Sequence, residues 1–402
     1  MMNATQFWKK QFKTPQERKS IKARKENTMK MKLTIEKKNL VTAVNIVTKA
    51  VPSRTTMPIL QCILINALDG KIKFSGNDLE LGIDTAVEGT VEEKGMVCLD
   101  AKVFGDIVRK LPDGDVTISV DDKFTANIKC GRAKFKIVGK DGKDFTQVPL
   151  IVEETNSVEI SEFSLKEIIQ KTSFAASPDS PQKIMQGICL KLSENNLQFI
   201  ALDGHRIAKR NMKLAKNYDN LEVVVPAKVL NEISKIIPGD ADSMVKISFD
   251  NYHIVFKFDQ TVVVSRLLEG KYFPVDKMLS KDYAVSMTIN KRELLDSLDR
   301  STLMVREGDR KPIIMDIKGE SFNIKMTSFV GVFDESIEMK HEGEDLMIGF
   351  NPKFLIDALR AIDEEEVSLY MINPKAPCSI RDKNDQYTYL ILPVNFNPGD
   401  VA

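Results

Sequence analysis

One sequence pattern occurs three times in this chain, at intervals of about 125 residues. In each copy an apolar strand leads to a helix-capping residue, then to a helix with one apolar face, and then to a polar turn. The first helical residues of the three copies, Ala101, Ala227 and Pro352, are 126 and 125 residues apart, and the helix-closing residues keep the same offsets. A period of this length corresponds to a small domain, so the chain is predicted to contain three tandem copies of one domain.

Each copy combines two helices with strands in which apolar and polar residues alternate. A short strand and a helix open each copy, and the alternation in segments such as 72–75, 197–200 and 322–326 indicates strands with one buried face. We therefore predict an α+β fold in which two helices per domain pack on one side of antiparallel strands. The predicted domains span residues 31–154, 155–280 and 281–396.

Capping residues mark the starts of three helices. Ser164 with Glu167, and Asn290 with Glu293, have the spacing of a capping box, in which side chain and backbone satisfy each other's hydrogen bonds. Asn351 precedes a proline, which suits the first helical position because it has no amide hydrogen to leave unpaired. These residues predict where the helices begin.

The two ends of the chain differ from the domains in composition. Residues 1–30 hold nine Lys or Arg against two Glu and have no apolar periodicity, so they are predicted to be a disordered basic extension. Two other interpretations are that translation begins at Met31, or that the segment is a transit-type or nucleic-acid-binding arm. Residues 397–402 are predicted to be a short tail, and residues 31–402 carry a net charge of −6.

The cysteine pattern and the hydropathy favour a protein of the reducing cytoplasm. Five cysteines are scattered without a C-x-x-C pair, and no apolar stretch is long enough for a membrane helix. Hydrophobic residues make up 43% of the chain, which is enough for several cores. Because no metal-ligand spacing or phosphate-binding glycine loop occurs, we expect neither a metal nor a cofactor.

Candidate catalytic residues are few. The best pair is Asp203 and His205, which could support acid–base chemistry but have no nucleophile beside them. The equivalent segments of the other two copies, 77–80 and 327–330, carry no histidine. We therefore predict a turn that is specialised in one copy. An enzyme that uses Asp203 and His205 in a cleft between domains is the alternative.

Positive charge is concentrated on the six repeated helices, although the body of the chain is acidic. Lysine and arginine on these helices would bind phosphate without sequence preference. Acidic residues such as Asp106, Glu232 and Asp357 share the helices, so a merely solvated polar face is the competing interpretation. The predicted DNA-binding residues on the helices are Lys102, Arg109, Lys166, Lys228, Lys235, Arg300 and Arg360.

Short motifs spread over the three copies resemble those of the bacterial DNA polymerase III beta subunits, the sliding clamps. These motifs are R-T-T-M-P-I-L from Arg54, D-G-H-R from Asp203, S-R-L-L-E-G from Ser265 and Y-L-I-L-P-V from Tyr389. The resemblance runs from residue 31 to about residue 396. It implies a ring-shaped head-to-tail homodimer whose helices surround duplex DNA, with the sheets outside and no catalysed reaction. Arg54 is similar to the arginine with which these clamps touch DNA.

The resemblance also implies a pocket between the second and third domains that takes a short hydrophobic peptide from partner proteins. The implied partners are the DNA polymerase III alpha subunit, the clamp loader and other proteins with a clamp-binding motif. The matching residues are Met185, Leu202, Gly204, His205, Arg206, Ile207, Phe273, Met278, Leu390, Leu392, Pro393 and Val394. Aliphatic walls, a glycine and a few polar groups suit such a ligand. A peptide-binding scaffold that never touches DNA is a further alternative.

For the contact between subunits, the resemblance points to Phe135 and Ile137 on an edge strand of the first domain. These residues would meet Leu303 and Met304 in the third domain of a second copy. Lysines alternate with the apolar pair, which is typical of an edge strand that is protected from promiscuous pairing.

Overall fold

The computed structural model describes residues 31–148, 157–306 and 311–396. The chain divides into two compact units, Met1–Val152 with Val255–Val264, and Glu153–Ile254 with Ser265–Ala402. The predictions for residues 1–30 and 397–402 lie outside the described residues. None of the helices in the described parts of the chain is both long and apolar enough to cross a membrane.

The first copy of the pattern forms two helices and two groups of strands. Its elements are β1 (Met31–Glu36), α1 (Lys37–Val47), β2 (Cys62–Asn66), β3 (Ile72–Asn77), β4 (Leu81–Val87), β5 (Thr90–Glu93), β6 (Met96–Asp100), α2 (Ala101–Lys110), β7 (Asp115–Val120), β8 (Thr125–Cys130), β9 (Ala133–Val138) and β10 (Lys140–Asp141). One sheet has the order β5-β1-β7-β8-β9, and the strands β10-β6-β2-β3-β4 are consecutive neighbours in another. Strand β9 therefore ends its sheet.

The second and third copies repeat this order, and the second has one longer hairpin. The second contains β11 (Ser157–Ser161), α3 (Glu162–Gln170), β12 (Gly187–Leu202), β13 (Arg206–Pro226), α4 (Ala227–Ile236), β14 (Met244–Phe249), β15 (His253–Phe258) and β16 (Thr261–Arg266). The third contains β17 (Val285–Asn290), α5 (Lys291–Thr302), β18 (Ile313–Lys318), β19 (Ser321–Thr327), β20 (Val332–Ile337), β21 (Met339–Gly343), β22 (Leu346–Phe350), α6 (Pro352–Arg360), β23 (Glu366–Met371), β24 (Cys378–Arg381) and β25 (Tyr387–Ile391).

Two sheets belong to the second unit. A seven-stranded sheet has the order β12-β13-β25-β24-β23-β17-β21, so it joins strands of the second and third copies. A four-stranded sheet has the order β20-β19-β18-β22, and β20 ends it. The described strand pairs in both sheets are antiparallel, as the alternating sequence pattern predicts.

The helices pack in pairs, and each buries one apolar face. Helix α1 lies against α2, α3 against α4, and α5 against α6. In α4 the buried face contains Val229, Leu230 and Ile233, each of which contributes about 1.5–3 kcal/mol relative to an exposed side chain. The same one-sided pattern in all three copies places the polar face of each helix toward solvent.

Two of the three predicted helix starts are confirmed. The Asn290 side chain accepts hydrogen bonds from the amides of residues 292 and 293, and the Asn351 side chain accepts one from residue 353. The prediction for Ser164 is wrong, because α3 begins three residues earlier. There the hydroxyl of Ser161 caps the helix by accepting a hydrogen bond from the Ser164 amide at 3.2 Å.

Candidate partner-binding pocket and DNA-facing helices

An apolar cluster lies where β12, β13 and β25 are neighbours in the second unit. Leu202 is paired with Ile207 across the first strand pair, and Ile207 with Leu390 across the second. The buried members of the cluster are Cys189, Ile200, Leu202, Ile207, Val224, Tyr272, Val275 and Leu390. Partly exposed side chains pack against it, namely Ile184, Met185, Leu268, Phe273 and Leu279. The fold thus forms an apolar floor with an accessible margin.

Five of the residues matched to the partner pocket belong to this cluster. They are Met185, Leu202, Ile207, Phe273 and Leu390. Met278 lies outside the cluster with 47% of its surface exposed, but its amide donates a 2.8 Å hydrogen bond to the carbonyl of Val275, a cluster member.

The remaining pocket residues other than Arg206 form a rim of turn and strand ends. The Leu392 amide donates to the His205 carbonyl at 2.8 Å, and the Leu392 side chain stays 37% exposed. The Val394 amide donates to the Gly349 carbonyl at 2.8 Å, and Pro393 between them is partly exposed. An exposed leucine beside a buried apolar floor is the kind of surface that a hydrophobic side chain of a ligand can extend.

The turn at 203–206 is held by the carboxylate of Asp203. One of its oxygens accepts hydrogen bonds from the amides of His205 at 2.9 Å and Arg206 at 3.1 Å. Gly204 has φ of +85°, which L side chains rarely adopt, and no atom lies near the place where its Cβ would be. Glycine is therefore required at this position by the backbone conformation and not by crowding.

Asp203 and His205 are not arranged as an acid–base pair. The second carboxylate oxygen of Asp203 accepts from Arg206 Nε at 2.9 Å, and only the backbone amide of His205 reaches this carboxylate. The His205 imidazole instead stacks on the Phe354 ring, with centroids 6.1 Å apart and an interplanar angle of 21°. Within the described residues there is also no group of three or more His, Cys, Asp or Glu that could hold a metal ion.

Arg206 is nearly buried beneath the rim, and its side chain is only 11% exposed. Its Nη1 donates to Asp357 of α6 at 2.6 Å, and its Nη2 donates to the carbonyl of Phe174 at 2.5 Å. The guanidinium also lies 4.5 Å from the ring centre of Phe354 and 5.4 Å from that of Phe174. This geometry differs from an arginine that reaches into solvent to orient a ligand.

The basic residues predicted to bind DNA fall into two groups. Arg54, in the loop that follows α1, and Lys102 and Lys228, near the starts of α2 and α4, have exposed side chains. Lys166 is partly buried, and its Nζ donates to the carbonyls of Ile237 and Pro238 at 3.1 and 3.3 Å. Lys166 therefore ties α3 to the two residues that directly follow α4.

The second group consists of basic residues that each lie beside a carboxylate. Arg300 makes a bidentate pair with Glu335 at 3.0 and 2.5 Å, and hydrogen bonding to this guanidinium lowers the pKa of Glu335. The other pairs are Arg109 with Asp106 at 2.9 Å, Lys235 with Glu232 at 2.8 Å, and Arg360 with Asp299 at 3.3 Å. Because all four cations are at least 46% exposed, phosphate oxygens can compete for them.

Two sheet edges in the described residues carry exposed apolar side chains. On β9, Phe135 is 40% exposed, and the neighbouring Val138 is 80% exposed. Leu303, just after α5, is 71% exposed, and Val332 on the edge strand β20 is also 71% exposed. Exposed apolar residues on unpaired edges are typical of surfaces that another chain covers.

Comparison with known proteins covers the chain from residue 31 almost to its end. Family models of the DNA polymerase III beta subunit match three times: the N-terminal domain over residues 31–149, the central domain over 159–274 and the C-terminal domain over 276–395. The beta sliding clamp of Bacillus subtilis is 36% identical over 377 residues, which are 90% of this chain and 99% of that protein. The chain belongs to the DNA polymerase III beta subunit family.

Solved structures of beta subunits agree with this assignment. A chain described as a DNA polymerase III beta subunit from Eubacterium rectale has a TM-score of 0.88 and 55% identity, covering 91% of this chain and all of that one. The sliding clamp of Bacillus subtilis has a TM-score of 0.87 and 34% identity at the same coverage. The predicted clamp fold and the predicted role as a sliding clamp in DNA replication are therefore confirmed. The predicted boundaries at 154 and 280 stay predictions.

Sequence reasoning about the clamp pocket missed several residues that the fold brings to it. Tyr272 and Val275 are buried in the cluster, and Ile184, Leu268 and Leu279 pack at its margin. The repeat could have indicated the first two, because Phe145 and Val148 stand 127 residues before them in the first copy and are apolar or aromatic as well. Phe145 and Val148 are also buried in the structure. Phe174 and Phe354 carried no such signal, since their contacts with Arg206 depend on side-chain packing across the repeats.

Proposed function

We propose that this chain is the non-catalytic processivity factor of a DNA polymerase III, which encircles duplex DNA as a head-to-tail dimer and tethers partner proteins through the pocket around Leu392. The observation that carries the proposal is the apolar floor of Leu202, Ile207 and Leu390 beside an exposed rim, in a chain of the beta subunit family. We assign the protein to the cytoplasm, where replication partners and DNA are available.

The pocket suits a short apolar segment of a partner protein. Its floor is made of aliphatic side chains from three strands, and its rim offers leucine and methionine side chains that are still partly exposed. Burial of one leucine-sized side chain on such a surface supplies about 1.5–3 kcal/mol. Two or three such anchors supply about 3–9 kcal/mol, and the upper end of this range corresponds to micromolar affinity, which suits partners that exchange on one clamp. The DNA polymerase III alpha subunit and the clamp loader are the partners that this role requires.

The paired basic residues on the helices support binding to DNA without sequence preference. Arg109, Lys235, Arg300 and Arg360 point their charges along helix surfaces, each held by a carboxylate that a phosphate can replace. Contacts of lysine and arginine with phosphate position a protein on DNA but do not read the bases. Arg54 and Lys102 also have exposed side chains and would add to the same surface.

Two strand junctions between domains of this chain support a specific strand pairing between two chains. In the first unit the Ala86 amide donates to the Gln260 carbonyl at 3.0 Å, and in the second the Asn211 amide donates to the Gln386 carbonyl at 2.8 Å. These junctions are equivalent under the repeat. The third equivalent of Ala86 and Asn211 is Ser336 on β20, which ends its sheet in the described part of the chain.

The repeat therefore supplies a register for pairing β20 of one chain with β9 of a second chain. Arg132 directly precedes β9, as Gln260 precedes β16 and Gln386 precedes β25, so in this register the Ser336 amide would face the carbonyl of Arg132, Asp334 would lie opposite Lys134, and Gly331 would lie opposite Ile137. Within one chain, a Cβ on Gly331 would lie 3.7 Å from the sulfur of Met304. The register thus brings Ile137 beside Met304, which agrees with the interface implied by the family resemblance.

The retention of the protein on DNA tests encirclement. A protein held only by ionic contacts is stripped as salt rises from ~50 to ~200 mM, whereas a closed ring is held by its protein junctions. We expect protein loaded on nicked circular DNA by a clamp loader to remain bound at ~200 mM salt, and to be lost after the circle is cut at one site. Gel filtration of cut and uncut complexes measures this. Equal retention, or equal loss, contradicts the proposal.

A further inference from the structure

Arg206 connects the pocket rim to helix α6 through a set of short contacts. All three guanidinium nitrogens donate to protein acceptors, on Asp203, Asp357 and Phe174, at 2.5 to 2.9 Å. Since the side chain is only 11% exposed, little of this charge is available to a ligand. An arginine whose nitrogens are all engaged in a nearly buried site serves the protein's own geometry.

The same contacts fix the shape of the rim. Asp203, which receives Arg206 Nε, also holds the amide of His205 in the turn. The His205 carbonyl in turn accepts the amide of Leu392, the exposed rim leucine. A displacement of the Arg206 side chain would therefore move the turn and, through it, Leu392.

Helix α6 contributes two of the groups that hold Arg206. Asp357 accepts from Nη1, and the ring of Phe354 lies under both the guanidinium and the His205 imidazole. The next turn of the helix carries Arg360, which is paired with Asp299 of α5. The rim of the pocket and the basic face of α6 are thus joined by one side chain, and neither can shift without changing the contacts of Arg206.

We propose that Arg206 is a positioning residue, which clasps the 203–206 turn to α6 through Asp357, sets the rim for a hydrophobic peptide and couples peptide binding to the state of α6. This inference rests on the proposed function of the pocket. It gives Arg206 a role different from that of a polar group that touches the peptide. Because coupling between two sites is reciprocal, a peptide that stabilises the rim also stabilises α6.

Peptide affinity in variants of Asp357 tests this proposal, because Asp357 belongs to α6 and is outside the set of pocket residues. The probe is a synthetic peptide with the clamp-binding motif of the DNA polymerase III alpha subunit, titrated by calorimetry well below the melting temperature of each variant. We expect Asp357→Leu to raise Kd about tenfold, since removal of one partner leaves the Arg206 charge poorly satisfied. Asp357→Asn keeps an acceptor and should lose less.

A double-mutant cycle separates positioning from a general loss of stability. If Asp357 acts through Arg206, the variant with Arg206→Met and Asp357→Leu should bind no more weakly than Arg206→Met alone. The matched control is Asp296→Leu on α5, an exposed acidic residue 3.9 Å from Arg292, which should leave Kd unchanged. Unchanged affinity in Asp357→Leu, or additive losses in the cycle, would overturn the proposal.

Amide hydrogen exchange supplies an independent readout. Saturating peptide should slow exchange in residues 352–360 of the unmodified chain and should have little effect there in Asp357→Leu. Equal protection of α6 in both proteins contradicts the coupling. If the unmodified chain does not bind the peptide at all, the proposed function of the pocket is itself wrong and this inference falls with it.

Discussion

Single residues of the pocket divide into those that a partner can reach and those that hold the shape of the site. Leu392 and Met278 are 37% and 47% exposed, whereas Leu202, Ile207 and Leu390 are at most 7% exposed. A ligand therefore gains most by covering the rim, while changes to the floor would disturb the core of the second unit. Arg206 belongs with the residues that hold the shape, although the family resemblance placed it among the residues that line the pocket.

We expect Leu392→Ala to weaken binding of the alpha-subunit peptide by roughly tenfold or more, because it removes about 1–3 kcal/mol of apolar burial. The fold and the dimer should be unaffected, since the side chain lies at the rim. Calorimetric titration gives the affinity, and circular dichroism checks the fold. Leu79→Ala, which changes a 47% exposed leucine in the segment of the first copy that is equivalent to the 203–206 turn, is the matched control. Unaltered affinity in Leu392→Ala would place the pocket elsewhere.

At the scale of elements, the sequence was most informative where a pattern recurred. The strand, cap and helix order could be predicted because three copies carry it, and so could the turn that contains Gly204. The ion pair between Arg360 and Asp299 could not, because these residues are 61 positions apart and meet only when α5 and α6 pack. The cap of α3 was missed for a local reason: Ser161 and Ser164 both suit an N-cap, and only the end of β11 decides between them.

The register proposed for β9 and β20 leads to a charge-swap experiment. Lys134→Glu would place like charges opposite each other at both junctions of a dimer, which costs about 0.2–1 kcal/mol per pair relative to a neutral pair. We expect the dissociation constant of the dimer to rise several-fold, as measured by analytical ultracentrifugation. We expect the additional change Asp334→Lys to restore dimer formation. Lys136→Glu is the control, since its opposite residue is Val332 and Asp334→Lys should not rescue it. Equal rescue of both lysine variants would show that the register is wrong.

At the scale of the whole molecule, the exposed edges of one chain make sense only if another chain covers them. Phe135 on β9 and Leu303 after α5 would lose an unfavourable contact with water in a dimer. A head-to-tail contact closes into a ring when its rotations complete a full turn, so two equivalent junctions would carry the entire assembly.

Leu303→Lys combined with Met304→Lys should convert the dimer into monomers. Burial of two ammonium groups against Phe135 and Ile137 costs several kcal/mol at each junction, which is more than such an edge contact can offset. Light scattering at micromolar concentration should report a mass near 45.3 kDa in place of twice that value. A persisting dimer would mean that the apolar pair lies outside the interface.

The ion pairs on the helices bear on how fast such a protein could slide along duplex DNA. A guanidinium without a carboxylate partner would bind each phosphate strongly and would have to break that contact at every step. Movement along the duplex would then meet repeated energy barriers. Arg360 and Arg300 each keep a carboxylate within 3.3 Å, which takes up the charge as one phosphate departs and before the next arrives. If these residues contact DNA as proposed, the energy along the path would be levelled, and one-dimensional diffusion would meet less friction than the number of cations alone would suggest.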